Sequence, residues 1–582
     1  MLFGPSLIHV CGSEPLASRV VAGLRADGRR VRLVSPDQLT TLKPARIRTL
    51  ILADPPDPAG LIAAFATRLA QIRRGFGAEP VRLILMHLAD PPPPLPDLNL
   101  GGRLRLETFA IENRAMRALL ARWPLHSGMD PPFGQVPHLL IAGFTPSAGA
   151  FLVQALRLIH YADARPRVSI LCDDTARAAA RFQADYPQAD QVAEIRFAPL
   201  ASPPLKDTPA VTLALVCQDA PGPEGLRVAR ALVQTIARAQ RASPPILLEI
   251  GDDEARGDIA DWDGQIIPFS SLREVCRPEV LLDGLGDEAA RTIHEYYCDS
   301  IAAQGRDPGT EPAGEPWPRL ATSYRQANRH QADHLWAKLA VTDCRAVAEE
   351  MVDAFAFTPL EVERLALIEH RRWAADRSLD GWSYAPVRDN ARKHHPQLIP
   401  YAELSEPMKD LDRFAVRGVP NLLARSGLGV VRLLIVGIPA PGAGSVSGKR
   451  LRTLTRLVLE RLVARYPDRA LVFAATLADP ATRQVARQAL DQSGAGLFWL
   501  LSQPIDELLA AQPDAAARRD LLELAARAER RIALDGEGEL ARWFAARAEI
   551  VIALGAIAPM AEPVRRVTLA AGWAGLDWNF EY

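Results

Sequence analysis

The sequence predicts a multidomain α/β protein, with parallel sheets in its N-terminal half and at its C-terminal end and a mostly helical unit between them. Three observations carry that prediction. The chain has 582 residues, more than one hydrophobic core serves when domains run to roughly 100–200 residues. Short apolar runs alternate with amphipathic stretches up to 269 and again from 431, the pattern of strands buried on both faces and covered by helices. Between 281 and 428 that pattern gives way to helical spacing with interspersed aromatic and His residues.

In the first segment, 1–132, "SLIHVCG" (6–12), "RRVRLVS" (29–35), "RTLILAD" (48–54) and "VRLILMHLAD" (81–90) read as strands with helices between them. The run "DPPPPLPD" (90–97) reads as a surface loop, because proline offers no amide donor. The second segment, 133–280, repeats the logic. "HLLIAGF" (138–144) is a strand, "SAGAFLVQALRLIHYA" a helix, and "RVSILCDD" (167–174) a strand ending in two acids. "VTLALVC" (211–217), "PILLEI" (245–250) and "QIIPF" (265–269) extend the sheet.

This is the order of a dinucleotide-binding βαβ unit, where glycines admit a pyrophosphate to a helix N-terminus and an acid takes the ribose hydroxyls. Both segments are therefore expected to be Rossmann-like, with Gly143, Gly149 and Asp173 as cofactor-binding candidates. Yet "GFTPSAG" lacks the G-x-G-x-x-G spacing and carries Pro146, and on a fold-only reading Asp173 and Asp174 merely end a strand. "CGSEPLAS" in the first segment has even less of the fingerprint. The two domains also resemble the ligand-gating, TrkA-N-type domains of potassium transport systems.

The helical segment, 281–428, contains an internal repeat. Shifted by 84 residues, 316–339 lies over 400–423: Pro316 meets Pro400, Trp317 meets Tyr401, Leu320 meets Leu404, Arg329 meets Arg413 and Leu339 meets Leu423. Upstream, a shift of 76 brings His294 onto His370 and Tyr297 onto Trp373. Much of what the first copy lacks is the loop "GWSYAPVRDNARKHHP" (381–396). A helix is expected before that loop, with Thr358 as N-cap, Pro359 at its first position and Glu361 closing a capping box. Val362, Ala366, Glu369 and Trp373 share one of its faces, and Gly381 can end it in a left-handed cap.

The stretch 369–413 resembles the RyR domain, the repeat found in tandem in ryanodine receptors and alone in many bacterial proteins. His370, Trp373, Gly381, Trp382, Tyr384, Pro386, Val387, Arg388, Asp389, Lys393, His395, Pro396, Leu398, Tyr401, Leu404 and Lys409 carry the likeness. Ala385 departs from it, standing where a Gly is usual. By this resemblance 281–428 is a tandem RyR unit, with a degenerate repeat at 284–345 and an intact one at 360–425. The resemblance implies a purine nucleotide site between them.

The residues themselves suit such a ligand. Trp373, Trp382, Tyr384 and, across the repeat, Trp317 offer faces for a base, worth ~1–3 kcal/mol per stacked base. Arg388, Arg392 and Lys393 supply donors for phosphate, and Asp389 takes ribose hydroxyls or anchors Arg388. His370, His395 and Tyr401 complete the candidate set. The competing reading makes both Trp residues core, pairs Arg388 with Asp389, and has His395 cap a turn.

From 429 to 582 the α/β pattern returns with "VRLLIVGI", "ALVFAAT", "GLFWLLS" and "AEIVIALG" as strands. "GAGSVSGKR" (442–450) fails as a phosphate-binding P-loop, since Ala443 replaces the first Gly and Arg450 stands where Ser or Thr should hold magnesium. The segment resembles the SLOG group of Rossmann-like nucleotide-derivative sensors through "SGKR" (447–450) and "LADPATR" (477–483), with Lys449, Pro480 and Thr482 departing from the motifs. That resemblance makes Gly448, Arg450, Asp479 and Arg483 further candidates.

A net charge of −1 gives no global attraction to nucleic acid or anionic membrane, so any anion site is local. Six scattered cysteines form neither a disulfide framework nor a metal motif. No run reaches the ~18 apolar residues of a membrane span, and a cytoplasmic protein is expected. The expectation is a non-enzymatic bacterial sensor of a purine nucleotide such as ATP, ADP, ADP-ribose or an NAD-like molecule, with signalling or anti-phage roles. It is expected to be homo-oligomeric, with no direct contact to nucleic acid and no metal. The alternatives are an NAD(P)-dependent or nucleotide-processing enzyme and a cytosolic regulatory subunit of a cation channel.

Overall fold

The computed structural model describes residues 7–44, 47–72, 80–88, 95, 103–218, 222–251, 265–282, 287–303, 305–352, 354–442, 445, 447–555 and 565–569. Apart from residue 95, the proline run 90–97 lies outside the described residues, as do 443, 444 and 446 of "GAGSVSGKR".

The first sheet holds β1 (Ile8–Gly12), β2 (Val31–Leu33), β3 (Thr49–Ala53), β4 (Val81–His87) and β5 (Leu104–Ala110), all parallel in the order β2-β1-β3-β4-β5. The second holds β6 (His138–Ala142), β7 (Arg167–Leu171), β8 (Glu194–Ala198), β9 (Leu213–Val216), β10 (Ile246–Glu249) and β11 (Ile266–Phe269). Its order, β11-β10-β9-β6-β7-β8, is the doubly wound Rossmann arrangement, reversing direction between β6 and β9. The chain is thus a multidomain α/β protein with Rossmann-like parallel sheets.

The C-terminal sheet corrects two readings of the sequence. Its strands include β12 (Cys344–Ala348), from the mostly helical stretch in which the sequence predicts no strand, and β15 (Leu428–Ile438), to which β12 pairs antiparallel. Between them in sequence, β13 (Ser383–Tyr384) and β14 (His394–His395) form a short parallel pair inside the 381–396 loop. Then come β16 (Arg469–Ala475), β17 (Gly496–Leu501), β18 (Arg530–Ala533), β19 (Ile550–Leu554) and β20 (Arg565–Leu569), in the order β18-β17-β16-β15-β19-β20. β18 falls between "GLFWLLS" and "AEIVIALG", where the sequence predicts no strand.

The helices between the second and third sheets carry the repeat. Thr322–Asp333 and Glu406–Arg417 start 84 residues apart, as do Leu335–Val341 and Val419–Ala424. Asp287–Ala303 and Pro359–Leu379 end 76 apart. The same ring contact recurs in each copy: His294 to Trp317, and His370 to Tyr401, each 5.9 Å between centroids. The copies pack on one another through Tyr296 stacked on Phe414 at 5.3 Å and the Arg425–Asp299 ion pair at 2.9 Å.

The helical unit is bonded to the second sheet's domain by Arg157, at the end of the Pro146–Leu158 helix. Its guanidinium reaches Asp376 (2.5 Å), Asp380 (3.3 Å) and the His330 ring (3.0 Å). All six cysteines are free thiols. Among the described residues no helix is long and apolar enough to cross a membrane, and no group of three or more His, Cys, Asp or Glu could hold a metal ion.

Candidate functional site

The loop 381–396 is positioned by the Pro359–Leu379 helix. Thr358 caps its start: the Thr358 hydroxyl accepts from the Glu361 amide at 3.3 Å while the Glu361 carboxylate accepts from the Thr358 amide at 2.8 Å. At the other end Gly381 adopts φ 82°, and the amides of Gly381 and Trp382 donate to the carbonyls of Ser378 and Arg377, each at 2.9 Å. This paired closure aims Trp382 back over the last turn of the helix. A side chain with a Cβ is disfavoured at that φ, which is why the sequence has glycine there.

Within the loop, Ser383 donates its amide to the Lys393 carbonyl at 2.9 Å, and Asp389 and His394 exchange backbone bonds at 3.1 and 2.8 Å. The Asp389 carboxylate accepts from the amides of Ala391 and Arg392, closing a tight turn. Lys393 sits in the left-handed region at φ 54°, tied by its ammonium to the Asp380 carbonyl at 2.7 Å.

An aromatic cluster results. The His395 ring stands edge-on to Trp373 at 4.9 Å and to Trp382 at 6.0 Å, and Trp373 lies 5.6 Å from His370. Arg377 lies 5.7 Å over Trp382. Around this cluster Tyr384 is 57% exposed, and Arg388, Arg392 and Lys393 are exposed as well. The arrangement is a half-buried aromatic wall with a cationic rim, able to stack a flat ring and to bond anionic oxygens beside it.

Other nominated residues have different work. His370 is buried, with Nε2 donating to the Ile399 carbonyl (2.8 Å) and Nδ1 meeting Asp412 (3.2 Å), so both ring nitrogens are spent inside the fold. Tyr401 is buried and donates its hydroxyl to Glu363 at 3.0 Å, under Lys409. Both brace the wall. Asp389 shapes the turn and does not bond Arg388, whose Nε donates to Asn390 at 3.0 Å. Trp317, expected to join the loop's aromatics, lies instead on His294 of its own copy, 5.8 Å from the Arg291 guanidinium. The repeat explains this: Trp317 occupies the slot that Tyr401 fills in the second copy. Sequence reasoning missed Arg377, although its position one helical turn after Trp373 puts it on the same face.

Burial, reinforced by the charges of Arg388 and Arg377, pushes the His395 imidazole down to about 4. The unfolded chain, with an ordinary His value near 6.5, takes the proton first. The contribution of His395 therefore turns unfavourable as pH falls from about 6.5 towards 4. An NMR titration of His395 should show a neutral ring at pH 5.5, with its midpoint raised in Arg388→Gln/Arg377→Gln. A midpoint near 6.5 in the unsubstituted protein would contradict the packing described.

With this geometry established, comparison with known families decides what the helix and loop are. Residues 359–432 match the RyR domain family. The chain carries an RyR domain. The matched span takes in the capped helix, the loop, the Glu406–Arg417 helix and the start of β15. Among solved structures, the chain is similar to a phosphoglycerate oxidoreductase from Rhizobium etli, at 14% identity over 46% of this chain and 80% of that one, with a TM-score of 0.20. It is also similar to Salmonella D-lactate dehydrogenase, at 9% identity over 48% of this chain and 95% of that one, with a TM-score of 0.19. At such scores neither likeness bears on what this chain binds.

Outside the RyR domain, the crevice of the second sheet departs from a dinucleotide site. Gly143 (φ 88°) is required because a Cβ would strike the Cys217 carbonyl oxygen, and its amide donates to Leu171 at 2.8 Å. Gly149 lies inside the Pro146–Leu158 helix with open space beside it. Asp173 is exposed after β7, and Asp174 caps the next helix. At the helix start, where the fold would seat a pyrophosphate, the Glu249 carboxylate accepts from the hydroxyls of Ser147 (2.9 Å) and Ser271 (2.5 Å). A second anion there would meet like charge. Gly143 thus serves a tight turn, Gly149 sits within the helix and Asp173 follows the strand end.

Two of the C-terminal candidates are likewise structural. Asp479 caps the Pro480–Ser493 helix, accepting from the amides of Ala481 and Thr482. Arg483 is buried and spends its donors on Asp520, the carbonyls of Leu477 and Ala478, and Gln512. Gly448 (φ 59°) opens the Gly448–Arg465 helix, and Arg450 is exposed on its first turn.

Proposed function

We propose that the RyR domain is the receptor site for a purine nucleotide or nucleotide-derived signal, such as ATP, ADP, ADP-ribose or an NAD-like molecule, bound without turnover. The observation that carries this reading is the half-buried Trp373–His395–Trp382 wall beside exposed Arg388, Arg392 and Lys393. The base stacks on Trp382, with Tyr384 closing over it, and the phosphates reach the cationic rim. His395 stays neutral at physiological pH and so presents no charge of its own to the ring. Among the described residues of the loop no nucleophile is paired with a base, which favours sensing over catalysis.

The Pro359–Leu379 helix gives the bound state a route outward, since Asp376 and Asp380 hold Arg157 of the second sheet's domain. A cytosolic, homo-oligomeric bacterial signalling or anti-phage protein fits that design. Calorimetric titration of the full chain with ATP, ADP, ADP-ribose, NAD and cyclic nucleotides tests the reading. One member of the panel should bind at one site per chain, about tenfold or more weaker in Arg388→Ala. Heat-silent titrations by all of them, with no shift in melting temperature, would sink it.

A further inference from the structure

We propose a second anion site, separate from the RyR loop, in the groove between the helices Gly448–Arg465 and Pro480–Ser493. Its ligand carries two or more phosphates and is recognised through those phosphates alone. The groove has a volume of about 380 Å³, within the roughly 300–1,000 Å³ of small-molecule sites.

Its wall chemistry is one-sided. Arg452 and Arg456 come from one helix, one turn or about 6 Å apart on the same face, and Arg487 comes from the other. The acid in the lining, Asp491, is already paired with Arg527 at 2.8 Å. Arg456 is paired only with Glu460, and both are more than half exposed, so a phosphate can displace that bond at little cost. Arg487 is held by Asp520, which fixes its position while leaving other guanidinium donors for a ligand.

The groove is also pre-set in width. Gln484 and Gln488, from one helix, donate their side-chain amides to the carbonyls of Gly448 (3.2 Å) and Arg452 (2.8 Å) on the other. Beyond the groove, the Gly448–Arg465 helix adds Lys449, Arg450, Arg461 and Arg465, with Glu460 as its one acid. A chain of net charge −1 thus concentrates positive potential on one helix. No aromatic ring lines the groove, so a base gains nothing there, in contrast to the RyR loop.

Two sources present this chemistry, a free polyphosphate or nucleotide and the backbone of a nucleic acid. The test uses the full chain at low and moderate salt, titrated with tripolyphosphate, with ATP and with a short single-stranded oligonucleotide. The hosts are the unsubstituted protein, the double variant Arg452→Glu/Arg456→Glu, its neutral counterpart Arg452→Gln/Arg456→Gln, and Trp382→Ala. Tripolyphosphate should bind, weaken as salt rises, lose about tenfold or more in both double variants, and be unchanged in Trp382→Ala. Tighter binding of the oligonucleotide would assign the groove to nucleic-acid backbone, and tighter binding of tripolyphosphate to a free polyphosphate. Absence of tripolyphosphate binding at low salt, or binding indifferent to both double variants, overturns the site. ATP binding that survives those variants but fails in Trp382→Ala belongs to the RyR loop, so the two sites stand or fall separately.

Discussion

Replacing Asp130 with Ala should destabilise the folded protein by about 3–5 kcal/mol, the usual consequence of stripping one partner from a buried ion pair. Asp130 is 0% exposed. Its carboxylate accepts from Arg530 Nη1 (2.9 Å), Arg547 Nε (2.7 Å) and Nη2 (3.1 Å), and Trp543 Nε1 (2.8 Å). The residue lies between the first two sheets, whereas its donors belong to β18 and the Gly536–Arg547 helix of the C-terminal sheet. Neighbouring bonds run the same way: Gln135 donates to the Ala533 carbonyl (2.9 Å) and the Arg531 amide to Ser127 (2.7 Å). Without Asp130, Arg547 keeps Asp343 at 2.5 and 2.6 Å, but Arg530 is left with the Ala340 carbonyl at 3.4 Å. Urea denaturation should show a lowered midpoint, and limited proteolysis should cut residues 124–135 sooner. An unchanged midpoint would mean that the C-terminal domain docks by other contacts.

Glu369→Ala should cost a similar amount, again about 3–5 kcal/mol. Lys338 is 1% exposed and lies 2.6 Å from Glu369, and Arg372 donates to the same carboxylate at 2.7 and 3.1 Å. Removing it leaves Lys338, bonded to His334, and Arg372 buried without the carboxylate that both of them bond. Burial alone would raise the Glu369 carboxyl, but the charges of Arg372 and Lys338 outweigh it and hold the group at about 2. Its stabilising contribution is thus complete above the ordinary value of about 4.5 and is lost as pH falls towards 2. Denaturation at pH 7 and pH 3 separates the two proteins: the deficit of Glu369→Ala should shrink at the lower pH. A deficit of the same size at both values would place the loss in packing and not in charge.

The strands buried on both faces were legible because their apolar runs are continuous, as in "VRLILMH" and "HLLIA". β5 and β8 were not, since each lies at a sheet edge and alternates polar with apolar residues, "LRLETFA" and "EIRFA". β12 was hidden because its pairing partner, β15, begins 80 residues beyond its last residue. In the RyR domain the helix caps and the loop were readable from Thr358, Glu361 and Gly381, whose roles are local. Three-dimensional partners were less so. Nothing near Glu369 in sequence names Lys338, and the repeat that revealed Trp317 also shows why it stays in its own copy. In "LADPATR" the motif likeness overlaps a local signal, since Asp479 caps the helix that carries Arg483.

Ligand stacking on the aromatic wall of the RyR domain depends above all on Trp382. The measurement is the dissociation constant of the nucleotide that binds the full chain, taken for Trp382→Ala and Trp382→Phe beside the unsubstituted protein. All three should have matching circular dichroism. Loss of stacking predicts that Ala weakens binding by ~1–3 kcal/mol, roughly 5- to 150-fold, and that Phe restores most of it. Equal affinity for all three proteins would contradict the account.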